Sequence, residues 1–95
     1  MKINNKKALN TFKESYPDAK QSVDAWQAEV ARAEWQTPNE LKLQFGSASI
    51  LKNRNVVFNI RGNKYRLWVQ ISYKVGVIFV KKIGTHDEYN GWEIR

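Results

Sequence analysis

The sequence predicts an α+β fold, in which N-terminal helices pack on an antiparallel sheet of about four strands and a short helix follows. Apolar residues recur at helical spacing up to about residue 45 and alternate with polar residues from Ile50 onward. A helix-start pattern then follows the last alternating segment. No internal repeat or linker interrupts the chain, so residues 1–95 are expected to form one small domain.

Two helices, packed as an αα-hairpin, are predicted before residue 34. Residues 4–15 form the first, because apolar side chains recur every three or four positions until Pro17 stops the pattern. Asp18 begins the second, since its carboxylate can cap a helix and Gln21 can complete a capping box. The second helix carries an apolar seam, made of Ala19, Val23, Trp26, Val30 and Ala33.

Two further helices begin with capping-box patterns. Thr37 can cap a short helix that ends near residue 44, and Glu40 can bond back to the cap. Thr85 and Glu88 repeat this arrangement and start the last helix, which is expected to run from residue 86 to about residue 94.

Alternating hydrophobicity predicts the strands, over residues 50–53, 55–60, 64–73 and 77–84. Two-residue and three-residue loops both fit at Val75 and Gly76, and a change of one residue would exchange the two faces of the last strand. Spacing therefore leaves open whether Lys81 or Lys82 shares a face with Arg66.

The central hairpin brings cations together. If Gly62 and Asn63 form its two-residue loop, Arg61 faces Lys64. The core face then carries Phe58, Ile60, Tyr65 and Leu67, and the other face carries Asn59, Arg61, Lys64 and Arg66. Like charges directly opposite one another destabilise a sheet, and a bound anion between them would remove that cost.

Basic residues are concentrated in the second half of the chain. The net charge is +7 overall, +1 over residues 1–48 and +6 over residues 49–95, and no acidic residue occurs between Leu41 and His86. This distribution predicts binding to a polyanion, usually nucleic acid, with a solvated basic surface as the alternative.

Several classes of function are disfavoured. The chain has no cysteine, which excludes a disulfide or a thiolate zinc site. It shows no signal-peptide pattern and no apolar run of membrane-spanning length, so a soluble cytoplasmic protein is expected. The sheet half has three carboxylates, and the chain lacks nucleophile, Walker and dinucleotide motifs. We therefore expect no metal and no cofactor.

The remaining candidates suit a phosphodiester substrate. Arg66, with Arg61, can bind phosphate oxygens and stabilise charge in a transition state. His86, the only histidine, lies at a helix start among cations, which disfavours its protonated form and predicts a neutral base. Tyr89 lies on the same helical face. The predicted RNA-binding residues are Asn59, Lys64, Lys52, Arg54, Lys81, Lys82 and, through base stacking, Trp68.

Two segments together resemble the HigB toxin family, whose members are RelE-like toxins of type II toxin–antitoxin systems. One is the hairpin Val57-Phe-Asn-Ile-Arg-Gly-Asn-Lys-Tyr-Arg-Leu67, in which Asn59 and Arg66 match the family's polar and basic positions. The other is Gly84-Thr-His-Asp-Glu-Tyr89, in which His86 and Tyr89 match. Arg61 and Lys64 occupy variable positions. The resemblance covers essentially the whole chain.

This resemblance implies a RelE-like fold with a curved sheet and a metal-independent endoribonuclease that cuts mRNA on the translating ribosome. It also implies a HigA-type antitoxin with a helix-turn-helix domain, which would connect the toxin to operator DNA. Cleavage would proceed by attack of a ribose 2′-OH on the adjacent phosphate. The alternatives are a non-catalytic RNA-binding module and a binding domain for an acidic protein.

Overall fold

The computed structural model describes residues 1–95, which form four helices and one five-stranded sheet. The helices are α1 (Lys6–Ser15), α2 (Lys20–Arg32), α3 (Pro38–Gln44) and α4 (His86–Tyr89). The strands are β1 (Lys2–Asn4), β2 (Ser49–Ile50), β3 (Asn55–Ile60), β4 (Tyr65–Ser72) and β5 (Val77–Thr85), in the sheet order β1-β5-β4-β3-β2. The α+β class, the helices on the sheet and the short C-terminal helix are confirmed.

The core lies between the sheet and the first two helices. On β4, Leu67, Val69 and Ile71 are buried on the face that packs on α1 and α2, which we call the helix face. Phe12 of α1 contacts the ring of Tyr65 edge to face, with centroids 5.2 Å apart. The alternate residues Arg66, Trp68 and Gln70 lie on the opposite face, which we call the second face. Residues 86–95 pack on this second face.

The sheet differs from the prediction at both edges. Lys2–Asn4 is a strand that pairs in parallel with β5, whereas the prediction began a helix at Asn4. Asn5 has left-handed backbone geometry (φ 69°), and its amide donates to the carbonyl of Val80 at 2.9 Å. At the other edge, β2 is only Ser49–Ile50. Both strands are too short to show an alternating pattern, and β1 also pairs with a strand more than 70 residues away.

The prediction of a capping box at Asp18 is wrong. Residues Pro17–Ala19 form a 3₁₀ turn, and Ala19 rather than Asp18 is the N-cap of α2, without a side-chain cap. The Asp18 carboxylate instead bonds to residues of the hairpin. The capping boxes at Thr37 and Thr85 are confirmed, each with its glutamate.

The hairpin register is confirmed, but its turn is longer than predicted. Asn59 pairs with Arg66, and the ladder ends where Ile60 pairs with Tyr65, which leaves residues 61–64 as the turn. Arg61 has left-handed geometry (φ 51°), so its side chain leaves the alternating pattern of β3. The Lys64 carbonyl is bonded to the backbone N–H of His86 at 3.2 Å, so it is occupied outside the hairpin.

A β-bulge answers the open question about the last hairpin. Trp68 pairs with Lys82 while the next residue, Val69, pairs with Val80, so Lys81 is the extra residue of the bulge. Lys82 therefore shares the second face with Arg66. The last helix is shorter than predicted, ending at Tyr89. None of the four helices combines the length and the hydropathy that crossing a membrane requires.

Candidate active site

Arg66 lies on the second face of β4 and meets two side chains of α4. Its Nη2 is 3.2 Å from Nδ1 of His86, and its guanidinium carbon is 5.6 Å from the ring centroid of Tyr89. Its Nη1 donates to the carbonyl of Asn63 at 3.0 Å, which fixes the direction of the side chain. Arg66 and His86, which the sequence analysis named as candidates for the same phosphodiester chemistry, are thus in direct contact. We call Arg66, His86 and Tyr89 the Arg66 cluster.

Local interactions hold α4 against the sheet. In the capping box, the Thr85 backbone N–H donates to Glu88 at 2.9 Å and the Glu88 N–H donates back to the Thr85 hydroxyl at 3.1 Å. Gly84 pairs with Arg66 across the strands. A Cβ at Gly84 would lie 3.0 Å from both Glu88 Oε1 and Trp92 Cζ2, which is tighter than ordinary contact, so these side chains would have to shift by a few tenths of an ångström. The lack of a side chain at Gly84 therefore favours the close approach of α4.

The contact with Arg66 determines the hydrogen-bonding state of His86. Arginine only donates hydrogen bonds, so Nδ1 of His86 must be the acceptor in this contact. The neutral imidazole then carries its proton on Nε2, which belongs to an exposed side chain. His86 can thus accept a second proton only after Arg66 releases Nδ1.

Contrary to the prediction, Arg61 and Lys64 bind Asp18 instead of lying beside Arg66 on the second face. Arg61 Nη1 donates to the Asp18 carbonyl at 2.7 Å and lies 3.2 Å from its Oδ2, which also accepts from Lys64 Nζ. Asp18 Oδ1 accepts from the hydroxyl of Tyr65 at 2.6 Å. The anion expected between these cations is therefore a side chain of the protein itself. We call Asp18, Arg61, Lys64 and Tyr65 the Asp18 cluster.

Interactions within the Asp18 cluster shift the pKa values of three of its side chains. Hydrogen bonds from Lys64 and then Tyr65 hold the pKa of Asp18 below its usual value. The bond to Asp18 raises the pKa of Lys64, and the same carboxylate, followed by burial, raises the pKa of Tyr65. All three shifts keep the cluster in its paired form near neutral pH.

Trp68 is not available as a base-stacking platform. It is 8% exposed, and its Nε1 donates to Asn55 Oδ1 at 2.8 Å. Trp92 covers it, with ring centroids 6.3 Å apart. Asn55 is the one buried polar residue, and its amide also binds the carbonyls of Lys52 and Arg95. This prediction is therefore wrong because the segment after α4 lies over the indole.

The other predicted RNA-binding residues are dispersed. Asn59 is beside Arg66 and donates weakly to the Ser47 carbonyl at 3.4 Å. Lys81 and Lys82 are exposed on β5. Lys52 and Arg54 lie in the turn before β3, whose first residue, Asn55, is roughly 13 Å along the strand from Asn59 at 3.3 Å per residue. They belong to the far end of the sheet.

Sequence reasoning missed the roles of Asp18, Asn55, Gly84 and Trp92. The helix-cap pattern around Asp18 pointed to a local role, whereas its partners lie 43 to 47 residues away. The like charges at the hairpin turn were the one available sign that a carboxylate was needed. No sequence pattern indicated that Asn55 and Trp92 would bury Trp68.

The Arg66 cluster contains a guanidinium, an imidazole and a phenol. The guanidinium forms no salt bridge. Such a set can bind an anionic oxygen and transfer protons beside it. No three His, Cys, Asp or Glu side chains lie together as a potential metal-binding group. The chemistry that the residues support is therefore phosphate binding with proton transfer.

Comparison with known proteins gives a consistent result. A family model described as HigB_toxin, the RelE-like toxic component of a toxin–antitoxin system, matches residues 19–92. The chain is 28% identical over 92 residues to the mRNA interferase toxin HigB of Escherichia coli strain K12. The aligned region covers 95% of this chain and 88% of that protein. Proteins named mRNA interferase HigB in Escherichia coli O157:H7 and Shigella flexneri show the same identity and coverage. The matched regions include both the hairpin and α4.

Proposed function

Because the chain belongs to the HigB family of RelE-like toxins, we propose that it is the toxin of a type II toxin–antitoxin pair and cuts mRNA. The relatives named mRNA interferase support an endoribonuclease. The observation that carries the assignment of a site is the 3.2 Å contact between Arg66 and His86, with Tyr89 beside them. Cleavage takes place in the cytoplasm, on the translating ribosome and without a metal ion.

The reaction is attack of a ribose 2′-oxygen on the adjacent phosphorus. The 2′-oxygen loses its proton and bonds to phosphorus, the bond from phosphorus to the 5′-oxygen breaks, and that oxygen takes up a proton. The products are a 2′,3′-cyclic phosphate and a 5′-hydroxyl. The chain must therefore supply a proton acceptor, a proton donor and stabilisation of the phosphorane charge.

Arg66 binds the scissile phosphate, and this frees His86. A phosphate oxygen is a stronger acceptor for guanidinium than a neutral imidazole, so the incoming substrate takes over the Arg66 Nη2 bond. The released Nδ1 of His86 then accepts the 2′-OH proton. Arg66 stabilises the extra negative charge as the phosphorane forms.

Tyr89 donates the second proton. Its ring lies 5.6 Å from the guanidinium carbon of Arg66, so the positive charge stabilises the phenolate left after donation to the 5′-oxygen. A single histidine thus serves as base and a tyrosine as acid, and the ribosome orders the RNA between them.

Replacing the leaving 5′-oxygen by sulfur tests these two roles. Tyr89→Phe keeps the ring beside Arg66 and is expected to slow cleavage of normal mRNA about 10²–10⁴-fold. It should regain most of that loss on the sulfur substrate, because a thiolate leaves without a proton donor. His86→Ala should stay slow on both substrates. Equal recovery by both variants would contradict the assignment.

Product analysis tests the reaction itself. Programmed ribosomes that are kept intact by cations that EDTA does not chelate should yield fragments with cyclic phosphate and 5′-hydroxyl ends when they are incubated with the protein and excess EDTA. Loss of cleavage in EDTA with ribosome integrity preserved by other cations would contradict a metal-independent reaction. If the chain is a non-catalytic RNA-binding module, it should bind the mRNA without cutting it. Incubation of the same mRNA without ribosomes tests whether cleavage requires the ribosome.

The partners follow from the family. We propose a HigA-type antitoxin with a helix-turn-helix domain, through which the pair contacts operator DNA. Co-expression of a neighbouring reading frame of this type should abolish growth arrest. Asn59, Lys81 and Lys82 would hold the RNA backbone near the Arg66 cluster, and Lys52 and Arg54 would contact ribosomal RNA at the far end of the sheet.

A further inference from the structure

The Asp18 cluster is a pair of cations that hold one anion. Arg61 and Lys64 both bind the Asp18 carboxylate, yet their side chains are 49% and 57% exposed. Their two positive charges exceed the single negative charge of Asp18, which leaves the group at a net +1. The carboxylate itself is about one-third exposed. Water can therefore solvate Asp18 if another anion replaces it.

This cluster borders the same cleft as the catalytic histidine. A cavity of about 450 Å³ lies between the hairpin turn and α4, and its walls include Asp18, Lys64, Tyr65, Thr85 and His86. The backbone bond from the His86 N–H to the Lys64 carbonyl, at 3.2 Å, joins the two sides directly. An RNA strand whose scissile phosphate is at Arg66 would therefore pass close to the Asp18 cluster.

A carboxylate held by arginine and lysine occupies the position that a phosphate would take, since both ligands offer anionic oxygens to the same donors. We propose that Arg61 and Lys64 form a second phosphate subsite, which Asp18 fills in the free protein and a neighbouring RNA phosphate takes over. This inference rests on the proposed function, because it needs RNA at the Arg66 cluster. It also gives Arg61 a binding role in place of the predicted catalytic one.

The exchange explains how such a subsite would favour a polymer. A phosphodiester and Asp18 carry the same charge, so an isolated phosphodiester gains little by displacing the carboxylate. A phosphate tethered to an already bound neighbour has a high effective concentration and competes successfully. The subsite thus selects a continuous RNA strand over an isolated phosphodiester.

The test compares two aspartates that are each paired with two cations. Asp24 is bonded to Lys13 at 2.7 Å and Lys20 at 2.8 Å, so Asp24→Asn makes the same charge change as Asp18→Asn. Binding is measured to ribosomes programmed with an mRNA that is 2′-O-methylated at the cleavage site, which prevents cutting. Asp18→Asn should bind about two- to fivefold more tightly than Asp24→Asn, the equilibrium equivalent of an exposed ion pair.

A double-mutant cycle makes the test specific. The gain from Asp18→Asn should disappear in a chain that also carries Arg61→Gln and Lys64→Gln. Lys64→Gln alone, at an exposed turn, should weaken binding and serves if Asp18→Asn fails to fold. If Asp18→Asn binds no more tightly than Asp24→Asn, or if Lys64→Gln binds like the parent, the subsite is wrong.

The two proposals fail separately. If the parent cuts mRNA but these variants show no difference, only the subsite is lost. If the parent neither binds nor cuts mRNA on the ribosome, the proposed function fails and the subsite fails with it.

Discussion

The hairpin carries cations at its turn and on β4, and the two positions differ in what surrounds the positive charge. At the turn, Arg61 and Lys64 share the carboxylate of Asp18. On β4, Arg66 forms no salt bridge and instead meets the imidazole of His86 and the ring of Tyr89. Both groups look equally basic in the sequence. The local density of positive charge therefore does not show which cations are paired, because the counter-ion of Arg61 and Lys64 comes from a distant part of the chain.

Removing Arg66 should have the strongest effect. Arg66→Ala should slow mRNA cleavage about 10²–10³-fold, because it removes the charge that stabilises the transition state. Stability should change little, since Arg66 is only half-buried and forms no salt bridge. Cleavage on programmed ribosomes measures the rate, and thermal melting measures the stability. Arg32→Ala, at an exposed position of α2, is the control, and parental activity of Arg66→Ala at equal abundance would overturn the comparison.

The position of α4 against Arg66 provides the next test. Gly84→Ala should lower kcat roughly 10- to 100-fold, because its Cβ would displace α4 and with it the imidazole. Gly91→Ala is the matched control, since a Cβ there meets only the Glu88 carbonyl at an ordinary 3.6 Å. Equal kcat values for the two variants would show that the approach of α4 does not control catalysis.

The Asp18 cluster should affect stability more than catalysis. Tyr65→Phe removes the hydroxyl that donates to Asp18 and should lower Tm by roughly 4–8 °C, while kcat at saturating substrate stays at the parental value. Tyr16→Phe is the control, because its hydroxyl makes no hydrogen bond within the chain and its ring remains stacked on Phe12. A fall in kcat without a fall in Tm would reverse the contrast between the clusters.

The smallest effect is a pH dependence of stability. The pKa of Asp18 is lowered by folding, so its contribution is complete above the ordinary carboxyl value of about 3.9 and is lost as pH falls through the lowered value. The pKa of Lys64 is raised, so its contribution is complete below about 10.4 and is lost as pH rises through the raised value. The stability difference between the parent and Asp18→Asn should therefore be constant from about pH 5 to 9.

Denaturant unfolding across this range measures that difference. It should shrink below about pH 4, where the parent loses its carboxylate charge. Asp24, whose pKa is also lowered by its lysines, is present in both proteins and cancels. A difference that grows as the pH falls would contradict the assigned sign.

Features that depend on near neighbours could be predicted from the sequence. The hairpin pairing of Asn59 with Arg66 follows from strand alternation around a glycine-containing turn, and the capping boxes at Thr37 and Thr85 follow from a spacing of three residues. The two family motifs pointed to Arg66 and His86 as candidates, and the structure brings these residues into contact. The catalytic roles remain predictions.

Features that depend on distant residues emerge only in the folded chain. Asp18 neutralises cations that follow it by more than 40 residues, a bulge places Lys82 on the second face, and Trp92 covers Trp68. None of these contacts leaves a periodic trace, because each joins side chains that the chain brings together only after the sheet has formed. Local motifs therefore identify the residues of the candidate site, whereas long-range packing determines which of the charged side chains are already paired within the protein.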